Sequence, residues 1–360
     1  MSEDRIDAAR VLEALRTVKD PELGTDIVAL GMVEDLAVGK GRLSLTVNLT
    51  TPGCPLRDQI EKEIRAVLSG LPGIETIDLR MGAKVRRSIE TTGDLIPEVA
   101  NTVAVGSGKG GVGKSTIAAS LALAFARAGA AVGLLDADVY GPNLVQMLGV
   151  TARPEIRDKT ILPVEAHGLR LMSMAFFLKE DQPVIWRGPM LHGAMKQFLG
   201  DVAWGKLDYM FIDMPPGTGD VQLTLSQVIP LTGAVLVTTP QDVALSDVRK
   251  AAAMFRTVNV PILGVVENMS YFNCPHCGER AEIFSHGGGR RAAEKFGTAF
   301  LGEVPLDILV RQGGDDGRPP VVYDPKSGPA LAFKEIAEKL AAIISVATYR
   351  KHETEIAART

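Results

Sequence analysis

The stretch "TVAVGSGKGGVGKSTIAASLALAFARAG", residues 102–129, constrains the fold more than any other. An apolar strand run enters a glycine-rich loop and leaves it as a helical run, so strand, tight turn and helix N-terminus must follow one another. Residues 108–115 fit G-x-x-x-x-G-K-[ST], the phosphate-binding loop. Gly108, Gly110, Gly111 and Gly113 let the backbone curl until several N–H groups face one cluster of oxygens, and the following helix adds its positive dipole end. Lys114 is then placed to reach β- and γ-phosphates, the Ser115 hydroxyl to bind Mg²⁺, and Thr116 to contact a phosphate.

The same stretch also satisfies G-x-G-x-x-G through Gly106, Gly108 and Gly111. Asp136 ends the next apolar run, where a dinucleotide site places an acid for the ribose. That reading leaves Lys114 and Ser115 without a task, and it does not explain "FIDMPPGTGD", residues 211–220. There an apolar run ends in Asp213, the position for an acid that holds Mg²⁺ through water, and Pro215, Pro216 and Gly217 form a turn able to sense a γ-phosphate. The two signals together favour a nucleoside triphosphate. In "LLDADVYGPN" Asp136 and Asp138 lie two residues apart and point to the same side.

From residue 101 onward apolar runs alternate with helical stretches. The strand candidates are 102–105, 131–136, 208–213, 234–239, 262–267 and 299–304, with helices at 116–128, 243–257 and 329–346. Continuous apolar strands fit a parallel sheet buried on both faces, so this part is expected to be a doubly wound, mostly parallel α/β domain. The first 84 residues read as a separate small α+β domain in the order α-β-β-α-β. Its first helix carries a stripe of Ile6, Val11, Leu12, Leu15 and Val18, and its first two strands meet at Gly39-Lys40-Gly41. Residues 85–100 are the expected linker, and residues 101–350 the nucleotide domain.

With 360 residues, 46% of them hydrophobic and 23% charged, the chain has material for two soluble domains. A net charge of −4 argues against broad binding to nucleic acid. No apolar run approaches the ~18 residues of a membrane-spanning helix, and the polar, acidic start is unlike a secretory signal. A cytoplasmic protein is expected.

Only three cysteines occur: Cys54, Cys274 and Cys277. The last two form "CPHC", which can be a redox dithiol, half of a zinc site, or half of a site completed by a second copy of the chain. A dithiol belongs at a helix N-terminus, whereas Gly278 here follows at once in a tight knuckle. Zinc would need His276, His286 or Cys54. Two copies related by a two-fold axis would supply four thiolates, enough for a [4Fe–4S] cluster or for zinc.

"GKGGVGKS" resembles the phosphate loop of the ATPases related to the nitrogenase iron protein, arsenite pumps and division-site positioning proteins. The resemblance implies a homodimer in which Lys109 reaches the partner's nucleotide, Asp138 orients the attacking water, Asp136 lies near the Mg²⁺ shell and Asn268 contacts adenine. Within that class, "GKGGVGKST", "DADVYGPN", "WRGPM", "DYMFIDMPPGTGD", "TTPQDVALSDVRKA" and "ENMSYFNCPHCGE" resemble the Mrp-type iron–sulfur cluster carrier ATPases over most of residues 101–325. "VKDPELGTDIVALGMV" and "TTPGCPLRD" resemble an iron–sulfur-assembly module over residues 7–80. The implied cofactors are ATP, Mg²⁺ and a labile [4Fe–4S] cluster on Cys274 and Cys277, and the implied partners are apo iron–sulfur proteins. Cys54, before a helix, would take part in cluster handling or docking; Arg187 of "WRGPM" has no assigned role. A positioning-type switch ATPase with a structural zinc knuckle is the alternative.

Overall fold

The computed structural model describes residues 7–39, 41–88, 95–177 and 188–359. Two compact units result: residues 87–340, and residues 1–86 together with 341–360.

The smaller unit follows the order helix α1 (Ala8–Leu15), strands β1 (Val33–Gly39) and β2 (Arg42–Leu49), helix α2 (Arg57–Ser69) and strand β3 (Thr76–Ala83). Asp7 caps α1 by accepting the Arg10 N–H at 2.9 Å, which satisfies one of the donors that a helix start leaves open. β1 pairs antiparallel with β2, and β2 pairs parallel with β3. The alternating residues Leu43, Leu45, Val47 and Leu49 bury one face of β2 against Val11 and Leu15 of α1 and Ile60, Ile64 and Leu68 of α2. Ile6 and Lys40 lie outside the described residues.

The larger unit is built on β4 (Val99–Ser107), α3 (Lys114–Arg127), β5 (Val132–Asp136), β6 (Val164–Ala166), β7 (Leu169–Ser173), α4 (Gly188–Gly200), β8 (Leu207–Asp213), α5 (Asp220–Val228), β9 (Gly233–Thr238), α6 (Asp242–Thr257) and β10 (Ile262–Glu267). A short hairpin, β11 (Phe272–Asn273) with β12 (Arg280–Ala281), precedes α7 (Gly288–Phe296), β13 (Ala299–Glu303), α8 (Ile308–Asp315) and α9 (Gly328–Arg359). The sheet order is β13-β10-β9-β4-β8-β5-β7-β6, with every neighbour parallel except the edge strand β6. This is the expected doubly wound architecture: β4, at the switch point, feeds the phosphate loop at its C-terminal edge.

Three departures from the sequence-based expectation stand out. β4 begins at Val99, inside the stretch read as a linker, and β7 and β6 extend the sheet beyond β5. α9 also continues past residue 346 to Arg359; from residue 341 on it belongs to the smaller unit, within which Tyr349 packs against the core. Among the described residues no helix is long and apolar enough to cross a membrane.

Candidate functional site

Parallel pairing sets the site. Asp213, the last residue of β8, is in register with Asp136, the last of β5, and with Val105 of β4. Two acids therefore end level with each other beside the loop that β4 feeds. The loop itself needs glycine at two close approaches. A Cβ on Gly108 would collide with the Asp247 backbone in α6. Gly113 has φ +79°, and a Cβ there would collide with the Asn268 amide. Above Gly110 and Gly111 the space is open to 4 Å, as a cradle for phosphate oxygens requires.

Lys114 begins α3 and turns inward: its Nζ lies 2.6 Å from Asp213 Oδ1, 3.3 Å from Asp138 Oδ2 and 3.3 Å from Ser115 Oγ. Asp213 is fully buried, and Lys114 and Asp138 nearly so. Asp136, also fully buried, accepts the Asp138 and Leu144 N–H groups at 3.2 Å each and the Ser173 hydroxyl at 3.0 Å. Asp138 Oδ1 in turn accepts the Tyr140 and Gly141 N–H groups. The structure thus brings Lys114, Ser115, Asp136, Asp138 and Asp213 together. Ser173, at the end of β7, joins them without a sequence motif of its own. Its only signal is the alternation of Leu169 and Leu171 before it.

One buried cation faces three carboxylates here, so the charge is incompletely balanced. Burial, and secondarily the Asp213 charge, pushes the Asp136 carboxyl up to about 8. Burial likewise raises Asp213, against the pull of Lys114. Asp213 Oδ2 is buried and has no hydrogen-bond partner among the described residues. An orphaned carboxylate oxygen beside a hydroxyl and an anion cradle is the donor set that a hydrated Mg²⁺ on a nucleotide takes. The residues fit that group.

These shifts have a sign that can be checked. Folded Asp136 and Asp213 keep protons at pH values where the unfolded chain has released them. Stability of the nucleotide-free protein therefore falls as pH rises from about 4 towards about 8, by at most about 1.4 kcal/mol per pH unit for one proton. Thermal melting in chelator is expected to show this fall between pH 5 and 8, and Asp136→Asn to flatten it. A parent midpoint that instead rises over this range, with the variant parallel to it, contradicts the assignment.

The remaining predicted residues lie around this cluster. The Asn268 amide donates to the Val112 carbonyl at 2.9 Å, which ties the end of β10 to the phosphate loop. Asn268 and Thr116 share the wall of a cavity of about 360 Å³ with Met269, Leu306, Asp307 and Arg311. Gly217, in the turn after Asp213, donates to the Ser107 carbonyl at 3.0 Å. Lys109 is half-buried, and the Ser107 hydroxyl holds its carbonyl at 2.9 Å. Arg187 lies outside the described residues.

Cys274 and Cys277 sit on the β11–β12 hairpin, Cys274 half-buried and Cys277 exposed. The Gly278 N–H donates to the Cys274 carbonyl at 2.8 Å, and Gly278 has φ +74°, which closes the knuckle. The Cys274 thiol is lowered from its ordinary value, first by the Cys277 backbone N–H, then by that of His276 and by the Cys277 thiol. Donors converging on the sulfur favour thiolate, the form that binds metal. Cys54 is half-buried at the start of α2 and packs against the core of the smaller unit.

Two family models match. The NUBPL iron-transfer P-loop NTPase model covers residues 98–341, and the iron-sulfur cluster assembly protein model residues 8–79. The iron-sulfur cluster carrier protein of Deinococcus radiodurans is 51% identical over 94% of this chain and 96% of its own length. The chloroplastic Fe-S cluster assembly factor HCF101 of Arabidopsis thaliana is 44% identical over 91% of this chain and 62% of its own. Among solved structures, a nucleotide-binding protein of Archaeoglobus fulgidus in complex with ADP superposes with TM-score 0.57 at 40% identity, over 64% of this chain and 90% of that one. The cell division ATPase MinD of Pyrococcus furiosus, 24% identical with TM-score 0.52 over 67% of this chain and 98% of its own, shares the fold. The chain belongs to the NUBPL-type iron-transfer P-loop NTPases, with an iron-sulfur cluster assembly module in front.

Proposed function

We propose that the protein is an ATP-hydrolysing carrier of iron–sulfur clusters. Two copies of the chain hold a [4Fe–4S] cluster between their Cys274/Cys277 pairs and pass it to apo-proteins. One observation carries this reading: an exposed knuckle with two thiols, one inclined to thiolate, on a P-loop ATPase unit. Two thiols are half of what such a cluster requires. A two-fold axis through an exposed hairpin supplies the other half without drawing on a distant residue.

Mg²⁺-bound ATP would supply the phosphoanhydride bond whose hydrolysis drives the cycle. Gly110, Gly111 and Gly113 would lend backbone N–H groups to its phosphates, together with Gly108 and Thr116. Lys114 would exchange its carboxylate partners for phosphate oxygens, and Ser115 and Asp213 Oδ2 would face the metal, Asp213 through water. Asp138 would hold the attacking water, with Asp136 fixing the Asp138 backbone from below. Lys109, from the partner copy, would neutralise charge developing on the transferred phosphoryl group. The cavity beside Asn268 would take the base. The iron–sulfur relatives lend support to the cargo, and a cytoplasmic location fits a chain with only three cysteines.

The test is transfer. Loaded anaerobically with iron and sulfide, then mixed with an apo four-iron enzyme in the presence of a chelator for free iron, the protein should restore that enzyme's activity. Iron that stays on the carrier, or reaches the client only as chelatable ions, would defeat the carrier reading.

A further inference from the structure

The hairpin that carries the cysteines has strands of two residues each. So short a ribbon does not hold itself. Arg280, the cross-strand partner of Asn273, is what fastens it. Its guanidinium lies 3.9 Å above the centre of the Tyr271 ring, and its Nη2 is 3.3 Å from Glu303 Oε2 at the end of β13 and 3.1 Å from His286 Nδ1. Glu282 stands 3.9 Å away. Tyr271 is fixed in its turn, because its carbonyl accepts the Leu306 N–H at 2.7 Å.

The other end of the same segment is fastened to the nucleotide side. Glu267, fully buried at the end of β10, accepts the Ser270 hydroxyl at 2.6 Å, the Gly287 N–H at 3.2 Å and the Gly289 N–H. Asn268, next to it, holds the Val112 carbonyl in the phosphate loop. Residues 267–274 are thus a short stay, tied to the phosphate loop at one end and clamped under Arg280 at the other.

Glu267, His286 and Glu303 do offer donor atoms within 4.8 Å of one another, as a metal site would. Both oxygens of Glu267 are already engaged, however, and Arg280 already supplies the positive charge. The cluster is an anchor for the hairpin.

We infer that Arg280 is a positioning residue that couples nucleotide occupancy to the cysteine pair. Through Tyr271 and Glu303 it fixes Cys274 and Cys277 against the segment that Asn268 ties to the phosphate loop. A shift of that loop on binding nucleotide is therefore passed to the thiols. The inference rests on the reading of Cys274 and Cys277 as the cargo-bearing residues and adds how their access is regulated.

The experiment uses the full chain, reduced and free of iron and sulfide. The probe is N-ethylmaleimide, and peptide mass distinguishes alkylation of Cys274 and Cys277 from that of Cys54. In the parent, a non-hydrolysable Mg²⁺-ATP analogue is expected to change the knuckle alkylation rate by about fivefold or more, the range of ordinary site-to-site coupling. Arg280→Gln should reduce that response to less than about twofold, with ATP affinity and basal hydrolysis within about twofold of the parent. Arg280→Lys, which keeps the charge and loses the planar face, should fall between. Tyr271→Leu, which removes the ring but leaves Arg280 its Glu303 contact, should lower the response in the same direction by less, and the double variant no further than Arg280→Gln, which already lacks the ring contact. Tyr271→Leu also keeps the test open if Arg280→Gln folds poorly.

A purely structural role for Arg280 would raise alkylation equally with and without nucleotide and leave the response intact; that result overturns the inference. A parent without a nucleotide response overturns it too. Because the assay contains no iron, failure of cluster loading on the parent would count against the cargo alone.

Discussion

Lys114→Ala is expected to lose ATP binding and at least about 100-fold in hydrolysis, the scale for removing a charge aimed at a transferring phosphoryl group. In this structure Lys114 has a second task. It is the cation between Asp213 and Asp138, with Asp136 behind them, and the whole group is buried. Removing one partner of a buried ion pair costs about 3–5 kcal/mol when the other charge is left alone. Asp136 and Asp213 already lean towards the protonated form, so the variant can escape part of that cost by taking up protons. Its stability deficit should be small near pH 5 and larger near pH 8, whereas the loss of nucleotide should hold at both. Calorimetric titration with ATP and thermal melting at the two pH values separate the effects. Parent-like ATP affinity at pH 5, where the variant folds best, would remove Lys114 from the phosphate site.

Cys274→Ala/Cys277→Ala is expected to bring iron bound after anaerobic loading from about four per dimer to background, and to abolish transfer. ATP hydrolysis without a client should change little, since the hairpin contributes nothing to the Lys114 cluster. Stability should also change little: Cys277 is exposed, neither thiol is part of the buried apolar clusters among the described residues, and such surface changes stay within about 0.5 kcal/mol. Cys54→Ala should keep full loading, because two knuckles already provide four thiolates. Iron and sulfide retained in the double variant would move the cargo elsewhere, with Cys54 the first place to look.

Much of the nucleotide site is legible in the sequence because parallel strands end level. Apolar runs ending in Asp136 and Asp213, with a glycine loop after a third run, fix neighbouring strand ends once the sheet is parallel. The cysteine knuckle is legible from Gly278, whose positive φ closes the turn. What was not legible depends on partners distant in sequence. β7 is hidden because Arg170 interrupts its apolar run, and the Ser173 hydroxyl under Asp136 is hidden with it. The clamp on Arg280 draws on Tyr271, His286 and Glu303, which no local pattern joins. The far end of α9 looks like a polar tail. Which core takes Tyr349 is decided by tertiary packing, beyond the reach of helical periodicity.

Whether two chains share one cluster is read by native mass spectrometry of the anaerobically loaded protein. The expected species is a dimer carrying the mass of a single four-iron, four-sulfide unit, about four irons per two chains, and it is lost in the Cys274→Ala/Cys277→Ala variant. A monomer that holds tight zinc, or a full cluster on each chain, would contradict a shared cluster.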